Sequence, residues 1–123
     1  MLAAGGALGT VLRYSVSGLA QRSAIGMFPW GTLAVNLTGS FLIGLLWGIF
    51  EVQNISSNFR TFLFVGILGG FTTFSTFALE SLNLMRDGEI KIALTNVIAS
   101  NILGILLVFG GVIASKYIIN LVR

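Results

Sequence analysis

Long apolar runs separated by short polar stretches dominate the hydropathy pattern of this chain. The runs lie at about 2–20, 31–50, 62–84 and 92–115. Each is close to or above the roughly 20 residues that a helix needs to cross a bilayer. The pattern predicts an all-α membrane protein: four transmembrane helices in a single domain over residues 1–123, followed from Ser115 by a short interfacial tail.

The third run carries residues that are unusual at bilayer depth. Gly69 and Gly70 are followed by the stretch 71–77, which reads Phe-Thr-Thr-Phe-Ser-Thr-Phe. Paired glycines and hydroxyls are tolerated there when they face a partner, a cavity or an ion. The sequence therefore predicts a broken or locally unwound third helix that lines a site, with aromatic rings around it.

The phenylalanines of this stretch, Phe71, Phe74 and Phe77, recur every three residues. Such spacing usually indicates core packing. Here the rings alternate with hydroxyl-bearing residues: Thr72, Thr73, Ser75 and Thr76. The positive edge of a phenyl ring suits a small anion, whereas its negative face binds cations. The sequence leaves open which part of each ring is presented.

Two polar stripes follow the i, i+4, i+8 spacing of one helical face. They consist of Thr32, Asn36 and Ser40 in the second run, and of Asn96, Ser100 and Gly104 in the fourth. One interpretation is hydrogen bonding between packed helices. The other is a file of neutral donors for a desolvated ion.

Arg13 lies within the first run, where an unpaired guanidinium is costly. It is either a snorkelling or capping residue, or a positive charge that draws anions toward an aqueous vestibule. Three small-xxx-small patterns predict close helix packing without naming the partners: Gly5/Gly9, Gly44/Gly48 and Gly66/Gly70.

Composition narrows the function. Hydrophobic residues make up 55% of the chain. Charged residues make up only 9%, far below the charged fraction of a typical soluble domain. Without histidine or cysteine, the chain offers no disulfide, thiol nucleophile or usual zinc ligand set. The net charge of +3 is scattered, so nucleic acid is not expected as a partner. We do not expect an enzyme.

The basic residues are balanced across the membrane in the four-span arrangement. One side holds Arg60, Lys116 and Arg123, and the other holds Arg22, Arg86 and Lys91. The positive-inside rule then has no asymmetry to act on. Either the short loops fail to report topology, or the protein inserts both ways and assembles as an antiparallel homodimer.

These elements together resemble the small dual-topology fluoride channels known as Fluc or CrcB over essentially the whole chain. The matching segments are Gly5-Gly6-x-x-Gly9-x-x-x-Arg13-Tyr14, Pro29-x-Gly31-Thr32-Leu33-x-Val35-Asn36-x-x-Gly39-Ser40-Phe41 and Gly69-Gly70-x-Thr72-Thr73-Phe74-Ser75-Thr76-Phe77. The resemblance implies passive fluoride export through an antiparallel homodimer in the inner (plasma) membrane, with two pores built from both subunits.

The resemblance also implies roles for individual residues. Those it assigns to the fluoride pore are Phe74, Phe77, Asn36, Ser75, Thr76, Ser100, Asn96, Thr32 and Arg13. It implies a sodium ion at the dimer axis, held by the main-chain carbonyls of Gly69 and Thr72 from each subunit. Many members of the family carry tyrosine where this chain has Asn96.

Two other functions remain as alternatives. A dual-topology drug exporter of the small multidrug-resistance kind needs a glutamate in its first helix, and residues 2–20 contain none. Glu80, near the end of the third run, is better interpreted as a polar residue at a helix end. An assembly subunit held by glycine seams is the non-transport alternative.

Overall fold

All the regular elements of the chain are helices in a computed structural model that describes all of residues 1–123. Its elements are α1 (Leu2–Arg22), α2 (Trp30–Val52), α3 (Ser57–Thr61), a π-helical segment (Phe62–Leu68), α4 (Gly69–Phe71), α5 (Phe74–Arg86) and α6 (Ile90–Val122). All of these elements except α3 overlap the four regions where the apolar runs predict helices, and α3 lies in the polar stretch before the third run.

Three stretches are long and apolar enough to cross a membrane. They are Trp30–Val52, Ser57–Arg86 and Ile90–Val122. The first predicted span also forms a helix, the 21-residue α1, but Arg13, Gln21 and its serines make it more polar than the others. The protein is therefore an all-α, multi-pass membrane protein.

The third hydrophobic stretch is interrupted at Thr72 and Thr73, and its halves pack on different helices. The half formed by α3, the π-helical segment and α4 lies mainly against α1, whereas α5 lies mainly against α6. Helices α2 and α6 share the most extensive contact in the fold. Because of the interruption, the same hydrophobic stretch packs against α1 with its first half and against α6 with its second half.

Glycines make the α2–α6 contact possible. A methyl group on Gly44 would overlap the carbonyl oxygen of Val108, and one on Gly111 would overlap the carbonyl oxygen of Phe41. Gly48 lies in the same way against the hydroxyl of Ser115, which is fully buried. The backbones of the two helices are in direct contact, so no larger residue fits there without a shift.

The other two glycine patterns face each other. A Cβ on Gly66 would lie 3.1 Å from the Cα of Gly5, and one on Gly9 would overlap the carbonyl oxygen of Ile67. The small residues of α1 therefore pack against the π-helical segment and the turn that follows it. The sequence predicts close packing at these glycines, and the fold supplies the pairing of helices.

The turn between α5 and α6 contains Gly88, whose φ of 82° lies in the left-handed region that favours glycine. Helix α6 then runs for 33 residues, about 50 Å at 1.5 Å per residue. The predicted interfacial tail from Ser115 is thus a helical continuation of α6 as far as Val122.

Candidate functional site

The interruption in the third stretch consists of two extended residues. Thr72 has φ −84° and ψ 160°, and Thr73 has φ −150° and ψ 123°. The preceding glycines weaken the helix, and β-branched residues with hydroxyls offer the backbone other partners. Thr72 Oγ1 donates to the carbonyl oxygen of Leu68 at 3.0 Å, while Thr73 Oγ1 accepts from the Thr76 N–H at 3.3 Å as the N-cap of α5.

Asn36 binds the peptide groups that the interruption leaves free. Its Nδ2 donates to the carbonyl oxygen of Thr73 at 2.9 Å, and the Thr73 N–H donates to its Oδ1 at 2.8 Å. The side-chain amide thereby replaces a stretch of backbone hydrogen bonding, which is what non-helical chain at membrane depth requires. An amide nitrogen has two N–H groups, so Asn36 keeps a second donor.

Arg13 also contacts the interruption, from α1. Its Nη1 donates to the carbonyl oxygen of Thr72 at 3.3 Å, and the side chain is half-buried. This bond lowers the free-energy cost of placing both groups in the membrane, because the charged guanidinium donates to a carbonyl that has no helical partner. Residues from α1 and α2 therefore hold two successive carbonyls of the interrupted segment.

The first turn of α5 presents both rings and hydroxyls. The ring centroids of Phe74 and Phe77 are 5.6 Å apart at an interplanar angle of 49°. Phe74 is 77% exposed in the protomer, whereas Phe77 is 8% exposed. Ser75 and Thr76 are exposed beside Phe74. One ring is thus packed inside the protomer, and the other projects from it with two hydroxyls.

A cavity of about 330 Å³ adjoins the interruption on the side of α2 and the π-helical segment. Its polar wall contains Asn36, Ser40, Gly69, Thr72 and Thr73, and Phe74 forms part of its rim. The cavity is wide open to the outside of the protomer.

Further polar cavities lie between α1, α2 and α5. A cavity of about 560 Å³ is lined by Tyr14, Ser17, Arg22, Thr32, Thr76 and Glu80. A smaller one of about 200 Å³ shares four of these residues and extends to Arg13 and Thr73. Together they form a polar surface that extends from the end of α1 and the start of α2 to the interruption. Arg22 lies near one end of this surface and Arg13 near the other.

The stripe on α6 is placed differently from the stripe on α2. Asn96 is 1% exposed and donates through Nδ2 to Ser81 Oγ at 3.1 Å. Ser100 Oγ donates to Asn96 Oδ1 at 3.2 Å. The two stripes approach each other at their last residues, where a Cβ on Gly104 would lie 3.6 Å from Ser40 Oγ.

Residues 1–112 match the family described as CrcB-like protein, Camphor Resistance (CrcB). The chain belongs to the CrcB family. Among its curated relatives is the fluoride-specific ion channel FluC of Parabacteroides distasonis, which is 55% identical over 123 residues, covering 100% of this chain and 96% of the relative.

Two further relatives of this CrcB protein carry the same name. The fluoride-specific ion channel FluC of Salinibacter ruber is 49% identical over 107 residues, covering 87% of this chain and 80% of the relative. That of Agrobacterium fabrum is 46% identical over 112 residues, covering 90% of each chain. The similarity extends over all the elements that form the interruption and its cavities.

The CrcB chain brings most of the residues singled out in the sequence to the interruption. Phe74, Phe77, Ser75 and Thr76 follow it, and Asn36 and Arg13 bind its carbonyls. Thr72 is its first residue, and Gly69 lies three residues before it. Thr32 lies in the cavities on the α1 side. Asn96 is buried against Ser81 of α5, whereas Ser100 is half-buried and donates to Asn96 within α6.

Glu80, which the sequence suggested to be a polar residue at a helix end, lies in the middle of α5. Thr32 Oγ1 donates to Glu80 Oε1 at 2.8 Å, and Oε2 is buried without a hydrogen-bond partner. Glu80 lies four residues after Thr76, on the same helical face, and lines the same cavity. That spacing from Thr76 is the signal that would have placed it at the site.

Proposed function

We propose that this protein is a fluoride-selective channel that exports fluoride passively across the inner (plasma) membrane and so lowers its cytoplasmic concentration. The names of the relatives, at up to 55% identity over the whole chain, support this function. The geometric observation that carries it is the first turn of α5, where the adjacent phenyl rings of Phe74 and Phe77 lie with the exposed hydroxyls of Ser75 and Thr76.

The channel works as an antiparallel homodimer of four-helix subunits. Ser75 and Thr76 are exposed in the protomer, and so is most of Phe74. Hydroxyls at membrane depth are expected to face a partner or water rather than lipid. A second copy would cover this turn and close the cavity beside it. The equal numbers of basic residues on the two sides are compatible with insertion in both orientations.

Fluoride passes along ring edges and neutral donors. The edges of Phe74 and Phe77 carry partial positive charge, and they stabilise an anion without binding it as tightly as a fixed cation would. Asn36 offers its second N–H, while Ser75, Thr76 and Thr32 supply hydroxyls near the interruption. Ser100 lies outside the cavities beside the interruption, and its hydroxyl donates to Asn96. Arg13 raises the concentration of anions near the interruption and fixes its backbone.

A sodium ion at the dimer axis fits the interrupted backbone. Thr73 N–H, the helical partner expected for the Gly69 carbonyl, donates instead to Asn36, and the Thr72 carbonyl belongs to an extended residue. These are hard oxygen ligands of the kind sodium prefers, and no carboxylate is needed. The Thr72 carbonyl accepts one bond from Arg13 and retains a second lone pair. Each subunit would contribute both carbonyls.

The test is fluoride efflux from liposomes containing the purified protein. A fluoride electrode should record rapid release that needs neither ATP nor a proton gradient, while chloride stays inside. Release that stops when the proton gradient is collapsed would indicate a coupled transporter instead. A proton-driven uptake of cationic dye would favour the drug exporter.

A further inference from the structure

A chain of hydrogen bonds connects α6 to the backbone of Phe77. Ser100 Oγ donates to Asn96 Oδ1 at 3.2 Å, Asn96 Nδ2 donates to Ser81 Oγ at 3.1 Å, and Ser81 Oγ donates to the Phe77 carbonyl at 2.8 Å. Of these three hydrogen bonds, only the one from Asn96 to Ser81 joins two different helices. We propose that Asn96 is a positioning residue that holds Phe77 at the ion pathway through Ser81, without touching the ion.

Because both of its partners are buried, the bond between Asn96 and Ser81 fixes the position of α5 on α6. Asn96 is 1% exposed and Ser81 is 6% exposed, so neither group can exchange its partner for water. A buried amide without a partner is costly, and this cost disfavours other registers of α5 on α6. Ala93, which is fully buried one turn earlier on α6, leaves room for the close approach.

Helix α5 needs such a bond because it has no helical support on its N-terminal side. It starts immediately after the interruption, where Asn36 holds Thr73 by two hydrogen bonds. Ser81 lies eight residues later, about 12 Å along the helix. Phe74 and Phe77 lie between these two attachment points, one to α2 and one to α6. Thr32 of α2 also donates to Glu80 of α5. Loss of the Asn96 attachment leaves α5 joined by side-chain hydrogen bonds to α2 alone, so the helix shifts relative to α6 and the Phe77 ring moves with it.

The same geometry separates the roles of the two asparagines. Asn36 is half-buried and lines the open cavity beside the interruption. Asn96 is enclosed, and both of its amide heavy atoms have side-chain partners. Asn96 therefore acts on selectivity through the position of a ring. This inference rests on the proposed role of Phe77 in the fluoride pathway.

The experiment uses the full-length protein in liposomes, with fluoride and chloride efflux measured side by side and the oligomer size checked by size exclusion. The variants are Asn96→Leu, Ser81→Ala, their combination and Phe77→Ile. Asn101→Leu is the matched control, because Asn101 is exposed on the same helix and its Nδ2 donates only to the Val97 carbonyl at 2.7 Å.

We expect Asn96→Leu and Ser81→Ala each to lower the ratio of fluoride to chloride efflux by about tenfold, with the dimer retained. The combined variant should be no worse than Asn96→Leu alone, because both changes break one chain of bonds. Asn101→Leu should leave the ratio within about twofold of the parent protein.

An unchanged ratio in Ser81→Ala overturns the inference even if Asn96→Leu fails to fold, because the smaller change adds no volume. So does a combined variant whose loss is the sum of the two single losses. If Phe77→Ile abolishes fluoride efflux while Asn96→Leu and Ser81→Ala do not alter the ratio, this inference alone fails. If Phe77→Ile conducts normally, the proposed role of Phe77 fails instead.

Discussion

Asn36 and Thr73 exchange two hydrogen bonds, of 2.9 Å and 2.8 Å, across the interruption in the third hydrophobic stretch. One side chain thus satisfies both the N–H and the carbonyl of an extended residue at membrane depth. The pair attaches the start of α5 to α2 and fixes where Phe74 emerges from the protomer.

Asn36→Asp should reduce fluoride efflux by at least about tenfold. The carboxylate has no N–H to donate to the Thr73 carbonyl, and a negative charge beside the pathway repels an anion where the dielectric constant is low. Efflux from liposomes measures the effect. Asn101→Asp is the control, since Asn101 is exposed and bonds only within its own helix. Normal efflux in Asn36→Asp would mean that Asn36 does not line the pathway.

Phe74→Ile and Phe77→Ile should each abolish most fluoride efflux while the proposed dimer persists, because both remove an electropositive ring edge. The two variants should differ in stability. Phe77 is 8% exposed and its replacement leaves a gap, whereas Phe74 is 77% exposed in the protomer. Efflux, oligomer size and thermal melting should be measured on both.

Phe109→Ile serves as the control for these variants, because Phe109 is a 65% exposed phenylalanine on α6. It should conduct normally. Loss of the dimer together with loss of efflux, in either α5 variant, would favour the view that these rings serve only assembly.

Gly111→Ala should destabilise the protein, by roughly 1–3 kcal/mol, because the methyl group would overlap the Phe41 carbonyl in the α2–α6 contact. Its neighbour provides the control. A Cβ on Gly110 would meet nothing within 4 Å, so Gly110→Ala should be neutral or stabilising through its higher helix propensity. Thermal melting in detergent compares the two variants. Equal melting temperatures would contradict the close α2–α6 contact at Gly111.

Much of the site could be predicted from the sequence. The glycine pair and the hydroxyl-rich stretch 71–77 predict a broken helix, and the interruption lies within that stretch at Thr72 and Thr73. Local chemistry suffices there, since glycines and threonines disfavour a continuous helix regardless of their neighbours. The helix ends were less predictable: α6 continues to Val122, because the polar residues after Ser115 do not themselves end a helix.

Contacts between helices could not be predicted in the same way. The stripes on α2 and α6 have the same spacing, yet Asn36 lines an open cavity and Asn96 is enclosed. Glu80 looked like a helix-end residue until its contact with Thr32, which is 48 positions away in sequence, brought it to a polar cavity. Periodicity gives the face of a helix but not the partner opposite that face.

The amino-acid order by itself determined that the protein is helical and membrane-spanning and that its third hydrophobic stretch is broken, because hydropathy, glycine and hydroxyl chemistry act over a few neighbouring residues. Only the tertiary structure decided which carbonyls Asn36 and Arg13 hold, which glycine seams meet, and that Asn96 reaches Phe77 through Ser81. Those outcomes depend on how helices distant in sequence pack, and packing is set by the whole chain.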